Sequence, residues 1–342
     1  MTPVLPIQYD FSLQGLNTFG IAAKAKAYLR VTSADMLTQV RSDDFLARLP
    51  RLVLGGGSNL LLTRDFAGLV LHMSTSGVEI VAEDAGATYV KAAAGENWHQ
   101  FVQWTLGQGM GGLENLSLIP GSVGAAPIQN IGAYGVEVKD CFHALTAFDF
   151  DTGEIVVLDK AACRFGYRDS LFKHALRDRA VILDVTFALP KNWRAQTQYA
   201  DVAQELTARA VASPAPQDVA DAIIAIRNRK LPDPAKIGNA GSFFKNPVVS
   251  ADLRDALLAS HPNLVSYPQP DGSYKLAAGW LIDQSGWKGK SMGAAGVYEK
   301  QALVLVNRGG ATGQEIAALA NAIQMDVMSR FGVMLEPEPV FI

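Results

Sequence analysis

The chain has 342 residues, of which 49% are hydrophobic and 18% charged, and its net charge is -3. That length exceeds one ordinary core, so about two or three domains are expected. The totals exclude a disordered chain, a general nucleic-acid binder and a basic membrane surface, and no apolar run is long enough to span a membrane. The first residues, MTPVLPIQYD, lack a basic stretch followed by an apolar block, so no secretory signal is expected. Cys141 and Cys163 fit reduced thiols of a cytoplasmic protein better than a disulfide framework or a zinc site.

In chain order, Ala27 to Val31 reads as a strand, and Ser33 as the cap of a helix over Ala34 to Leu49. Leu52 to Leu54 is a buried-type strand that runs into Gly55-Gly56-Gly57-Ser58-Asn59. Gly68 to Met73, Val78 to Val81 and Thr88 to Ala94 are further strands. Asn97 caps a helix over Trp98 to Leu106. Phe142 to Phe150 and Ile155 to Leu158 form a hairpin about Asp151-Thr152-Gly153, and Ala180 to Leu189 is a strand stopped by Pro190. Residues 17 to 190 thus make a strand-rich α+β unit.

Lys191 to Ser213 reads as polar and irregular, followed by a helix over Gln217 to Arg229 with the apolar stripe Val219, Ile223 and Ile226. The LPDP run at 231 to 234 marks a domain boundary. Beyond it the pattern predicts helices over Ala251 to Leu258, capped by Ser250, and over Ala277 to Gln284, then a strand over Ala302 to Asn307. Thr312 and Glu315 form a capping box for a long helix ending near Phe331, with Gly332 as its C-terminal cap. Val333 to Leu335 reads as a last strand. Residues 191 to 231 are taken as an insertion and linker helix, 232 to 334 as a C-terminal domain, and 335 to 342 as a segment returning to the active site.

Two glycine-rich turns carry the first functional signal. LSLIPGSVGAAPIQNIGAYG, at 116 to 135, contains no charged residue, and its small side chains let backbone N–H groups approach a pyrophosphate. A buried, tightly turned core segment fits the same residues. The turn at 55 to 59 follows a strand, but Leu60 stands where GxGxxG needs glycine and no helix opens after it, so a Rossmann site is excluded. A plain tight turn remains open there. Gly289-Lys290-Ser291 fails as a Walker A end because position 284 is Gln, and the five histidines lack metal-ligand spacing.

Candidate chemical groups are few. Arg168, beside Tyr167, suits a carboxylate, or else is a surface Arg paired with Asp169. Ser242 lies between a small residue and two aromatics, outside any GxSxG elbow, and reads as a proton donor or as a turn Ser. Arg227, Arg229, Lys230, Lys236 and Lys245 concentrate positive charge that suits a diphosphate or a solvated helix end. Glu336 and Glu338 flank Pro337 and are either a returning acid pair or exposed terminal residues.

The ordered set NTFG (17 to 20), GGGSN (55 to 59), AGENW (94 to 98), GLENLSLIPGSVGAAPIQNIGAYG (112 to 135), CRFGYRDS (163 to 170), KLPDP (230 to 234), NAGSFFKNP (239 to 247), LAAGWLID (276 to 283) and LEPE (335 to 338) resembles the UDP-N-acetylenolpyruvoylglucosamine reductase family over nearly the whole chain. The resemblance implies an α+β protein with an FAD-binding domain of the vanillyl-alcohol-oxidase (PCMH) type, built of two subdomains, and a C-terminal α+β substrate domain. It implies FAD and NADPH as cofactors and a UDP-sugar substrate of peptidoglycan precursor synthesis, in a cytoplasmic monomer with no nucleic-acid or membrane partner. UDP-N-acetyl-enolpyruvylglucosamine would be reduced to UDP-N-acetylmuramate.

By the same resemblance the FAD pyrophosphate would lie against Gly55, Gly56, Gly57, Ser58 and Asn59 and against Pro120, Gly121, Ser122, Gly124 and Ala125. NADPH would reduce the flavin, whose N5 would then pass hydride to C3 of the enolpyruvyl group. Arg168 and a protonated Glu338 match residues that stabilise the resulting enolate, and Ser242 matches the proton donor to C2. Lys230 and Asn246 match positions near the UDP diphosphate. Tyr199, in the 191 to 213 segment, matches the Tyr-loop subclass. Two other readings fit the same residues: a related FAD oxidase or dehydrogenase with another substrate, and a nucleotide-sugar-binding module without catalysis.

Overall fold

The computed structural model describes residues 4–342. The chain divides into two compact units. The first contains the residues up to Phe11 together with Ala25–Gly57 and Ala67–Arg229; the second contains Ser12–Lys24, Ser58–Phe66 and Lys230–Ile342.

In the first unit, the strand Lys24–Val31 alternates so that Ala25, Ala27, Leu29 and Val31 turn inward and Lys26 and Arg30 outward. It lies in a four-stranded sheet ordered Gln8–Ser12, Lys24–Val31, Phe66–Met73, Arg51–Leu54. The last two strands run parallel, with Leu54 opposite His72. A five-stranded antiparallel sheet follows, ordered Ile155–Asp159, Phe142–Asp149, Ala180–Pro190, Ala87–Ala93, Val78–Glu83. One apolar core spans both sheets. Trp98 and Phe101, on the helix Trp98–Gly107, pack on Phe187 with ring centroids 5.8 and 5.1 Å away. The helix Pro216–Lys230 buries Val219, Ile223 and Ile226 against Val202 and Leu206 in a smaller cluster.

In the second unit a four-stranded sheet runs Gly238–Ser242, Val304–Asn307, Ala295–Val297, Ser291–Met292. The helix Gly313–Phe331 packs on it through Ile316, Leu319, Ile323 and Val327, the spacing of one helical face. Its capping box is complete: Thr312 accepts from the Glu315 N–H, and Glu315 from the Thr312 N–H. Gly332 ends the helix in the left-handed region at φ 65°. Val340–Phe341 pairs in parallel with Leu60–Leu61.

Four expectations are corrected. The helix after Ser33 stops at Ser42, because the Asp43 carboxylate accepts the Phe45 and Leu46 N–H groups and starts a separate turn; the Ser33 side chain makes no cap bond. The segment read as irregular contains the helix Ala200–Ala208, with Val202 and Leu206 inward. Pro190 ends its strand from within, at a terminal rung opposite Ala87 where a missing N–H costs little. Val333 to Leu335 is no strand: Val333 and Leu335 are buried by packing, and the short strand lies later, at Val340–Phe341.

Candidate active site

The two glycine turns meet inside the first unit. A Cβ on Gly56 would stand 2.8 Å from the Gly121 Cα, and one on Gly55 would overlap the Ser122 hydroxyl. Gly57 and Gly121 hold φ of 59° and 124°, conformations that favour glycine. The Gly121–Ser122 turn is stitched to the next segment: Trp98 N–H donates to the Gly121 carbonyl (3.1 Å), and Val123 N–H to that of Glu96 (2.9 Å). A cleft of about 320 Å³ opens here, lined by Gly55, Gly56, Gly121 and Ser122, by Ser74 to Ser76 and Gly95 to Asn97, and by Arg30, His72 and Met73. Asn97 caps the helix Trp98–Gly107 through its Oδ1, 3.0 Å from the Gln100 N–H, so a helix N-terminus opens on the same cleft. Bare glycine backbone, hydroxyls, a helix N-terminus and one Arg suit a diphosphate. The residues present therefore fit FAD.

The Gly124 and Ala125 backbones are held by main-chain bonds. Their N–H groups are spent on the Ala94 (2.9 Å) and Ser122 (3.1 Å) carbonyls, and a Cβ on Gly124 would lie 2.5 Å from that of Ala94. These bonds fix the turn's shape. Pro120 belongs to the first unit, whereas Ser58 and Asn59 belong to the second.

Arg30 and His72 were not read from the sequence as site residues. The Tyr28 hydroxyl lies 2.7 Å from His72 Nδ1. Burial pushes the Tyr28 pKa up; burial, and then the Arg30 charge, push that of His72 down. Both shifts favour the uncharged forms, a phenol and a neutral imidazole sharing one hydrogen bond. Arg30 and His72 stand on adjacent strands as isolated polar residues, so only the sheet order brings them together.

Arg168 occupies a left-handed position, φ 54°, in a turn closed by the Gly166 N–H to the Asp169 carbonyl at 3.0 Å. Its Nη2 donates to the Gly132 carbonyl at 2.7 Å. Asp169 binds His174 Nε2 at 2.8 Å. Buried Asn130 ties the glycine-alanine stretch to this turn by donating to the Gly166 carbonyl at 3.0 Å.

Tyr199 stands at the N-terminal end of the helix Ala200–Ala208, 45% exposed, with its ring edge-on to Tyr134 at 5.5 Å. Two buried residues of the GLEN motif dock its segment. Trp193 Nε1 donates to Glu114 at 2.7 Å, and the Asn115 amide donates to the Gln196 carbonyl at 2.9 Å. A carboxylate inside an apolar run was the sequence signal for this anchor. Of the cations at 227 to 245, Arg229 pairs with Glu205 at 3.0 Å in the first unit, and Lys245 with Glu336 in the second. The Arg227 Nε is buried without a partner, and burial pushes its pKa down.

In the second unit Ser242 and Glu338 come together. Ser242 ends the strand Gly238–Ser242 with its side chain exposed. The next residues pair with the C-terminal segment: Glu338 N–H donates to the Phe243 carbonyl at 2.8 Å, and Lys245 N–H to the Glu336 carbonyl at 2.9 Å. Asn246 Oδ1 accepts from the Ala278 N–H (2.9 Å) at the start of the helix Ala278–Gln284, which orients its amide. Lys230 ends the helix Pro216–Lys230. Among the described residues no group of His, Cys, Asp and Glu could hold a metal ion.

Fold and cleft define an α+β flavoprotein with a PCMH-type FAD-binding unit. Residues 25–159 match the family model of an FAD binding domain, and residues 233–342 that of the UDP-N-acetylenolpyruvoylglucosamine reductase C-terminal domain. UDP-N-acetylenolpyruvoylglucosamine reductases of Burkholderia mallei and Burkholderia vietnamiensis are 59% and 60% identical to the chain over 333 residues, covering 97% of it and 96% and 95% of their own lengths. The chain belongs to the UDP-N-acetylenolpyruvoylglucosamine reductase family. The crystal structure of the enzyme from Thermus caldophilus, 23% identical, aligns over 99% of this chain and 98% of that one with a TM-score of 0.67, a likeness of fold.

Proposed function

We propose that the chain reduces the enolpyruvyl ether of UDP-N-acetyl-enolpyruvylglucosamine to the lactyl ether of UDP-N-acetylmuramate, in the cytoplasm, with Arg168, Ser242 and Glu338 as its catalytic residues. Family membership supports the oxidoreductase activity and the use of FAD and NADPH. Bound FAD would supply the hydride chemistry, from NADPH to C3 of the enolpyruvyl group. The chain's own residues have three tasks. The glycine turns, Arg30 and the N-terminus of the helix Trp98–Gly107 hold the diphosphate. Arg168 and a protonated Glu338 bind the substrate carboxylate, where negative charge grows as C3 gains hydride. Ser242 gives its hydroxyl proton to C2. Lys230 and Asn246 hold the UDP diphosphate, and Tyr199 belongs to the segment that closes over the nucleotide.

The observation that supports this reading is the main-chain pairing of the Ser242–Lys245 and Glu336–Glu338 segments within one unit, with the Glu338 N–H on the Phe243 carbonyl next to Ser242. Ser242→Ala tests it. Anaerobic flavin reduction by NADPH should persist, while reoxidation by the enolpyruvyl substrate slows about 10²- to 10⁴-fold, the worth of a general acid. Equal slowing of both half-reactions rejects the role.

A further inference from the structure

We propose that the Asn59 side chain is a positioning residue that fixes Glu338 beside Ser242. This rests on the reading of Glu338 as the acid that meets the substrate carboxylate. The Glu338 peptide is gripped from two sides. Its N–H donates to the Phe243 carbonyl at 2.8 Å, and its carbonyl accepts from Asn59 Nδ2 at 3.2 Å. The Asn59 carbonyl in turn accepts from the Val340 N–H at 2.9 Å. Asn59 therefore spans residues 338 to 340 with one donor and one acceptor.

Between those two contacts lies Pro339, which has no N–H to give and which confines the residue before it to extended backbone. Beyond them the parallel pairing of Val340 with Leu60 and Phe341 with Leu61 continues the frame. On the opposite flank Phe244 bridges Pro337, and Lys245 binds Glu336 through main chain and side chain. Of the two bonds to the Glu338 peptide, the Asn59 bond is the one made by a side chain, so a substitution can remove it and leave the backbone ladder intact. Asn59 lies in the GGGSN run, and the polarity of its amide is used here inside the second unit, on the segment that carries the acid.

Asn59→Asp keeps the shape and replaces the donor by a carboxylate, which repels the Glu338 carbonyl. Asn59→Ser is the milder second variant should the first fold poorly. Two measurements on the full-length, FAD-loaded protein decide the matter. Hydrogen–deuterium exchange over residues 336 to 342 should quicken at least about tenfold as the segment loosens. The ratio of flavin reoxidation by the enolpyruvyl substrate to flavin reduction by NADPH should fall on the order of 10- to 100-fold, as a displacement of about 1 Å in a reacting group does. Unchanged exchange, both half-reactions slowing in proportion, or a loss of FAD retention with the ratio intact each overturns the proposal. Glu338→Gln runs beside them. If it leaves reoxidation untouched, the reading of Glu338 fails; if it slows reoxidation while the Asn59 variants do not, Asn59 alone is refuted.

Discussion

Gly56→Ala separates the two readings of the glycine turns: a cradle shaped for a bound diphosphate, and a merely tight core. Gly56 is not among the residues of positive φ, so alanine strains no dihedral and the perturbation is one of space alone. The new methyl would meet the Gly121 Cα at 2.8 Å, its carbonyl carbon at 3.3 Å and its nitrogen at 3.4 Å. These are backbone atoms and cannot swing aside. To reach ordinary contact at ~3.4 Å the turns must part by about 0.6 Å, an overpacking cost of about 1–3 kcal/mol. In the stripped protein the cradle reading expects the turns to relieve this strain by opening. With FAD bound they must close, and the strain falls on binding. Titrating flavin-stripped protein with FAD, followed by flavin fluorescence, should show affinity lowered about 5- to 150-fold at 1.4 kcal/mol per decade. The melting temperature of the stripped protein should change little. Gly107→Ala, with nothing within 4 Å of its Cβ, is the control. If the stripped protein instead melts lower by ~2–4 °C per kcal/mol while FAD affinity holds, the turns are core and the cradle argument fails.

Arg30→Met should weaken FAD binding about threefold to tenfold, and the loss should shrink in high salt, because an exposed cation facing a diphosphate is screened; a loss independent of ionic strength would point to packing. Acidification should destabilise the fold from about pH 6.5 downward: the folded pKa values of His72 and His99 are both depressed, mainly by burial, so below the ordinary value the unfolded chain binds protons first. His72→Gln should flatten part of that slope in thermal melts taken from about pH 7.5 to 5. Thr312→Ala should cost about 1 kcal/mol in urea unfolding and leave both flavin half-reactions intact, since it removes the capping box of the helix Gly313–Phe331, remote in sequence from the proposed catalytic residues.

Local chemistry made much of the fold legible. Where one residue type had one task, the reading was good to a residue or two: Asn97 and Ser250 as caps, Thr312 with Glu315, the hairpin about Gly153. It missed where a local signal was weak or doubled. The helix Ala200–Ala208 offers two inward residues and no side-chain cap, too little to stand out from a polar stretch. Asp43 looked like part of a helix because the apolar spacing continued past it, yet its carboxylate takes two N–H groups and ends the helix. The alternation of Val333 and Leu335 is real burial without a ladder partner, and alternation alone cannot distinguish these.

The candidate site was legible chiefly through the resemblance, and the reason lies in how it is built. The strand bearing Ser242 and the segment bearing Glu338 lie far apart in the chain and meet through main-chain bonds that leave no trace in side-chain type. The cleft is the converse case: its turns declare themselves by the side chains they lack, but that absence serves ligand approach and close packing alike. Gly56 against Gly121 shows the first use, at the cleft lining, and Gly124 against the Ala94 Cβ the second. Only the position of each glycine relative to the cleft tells them apart, and this comes from the pairing of Leu54 with His72, which sets the end of one strand beside the end of the next. Arg30 joins the cleft by the same sheet geometry, so a site that reads as uncharged in the linear glycine motifs acquires a cation from a neighbouring strand.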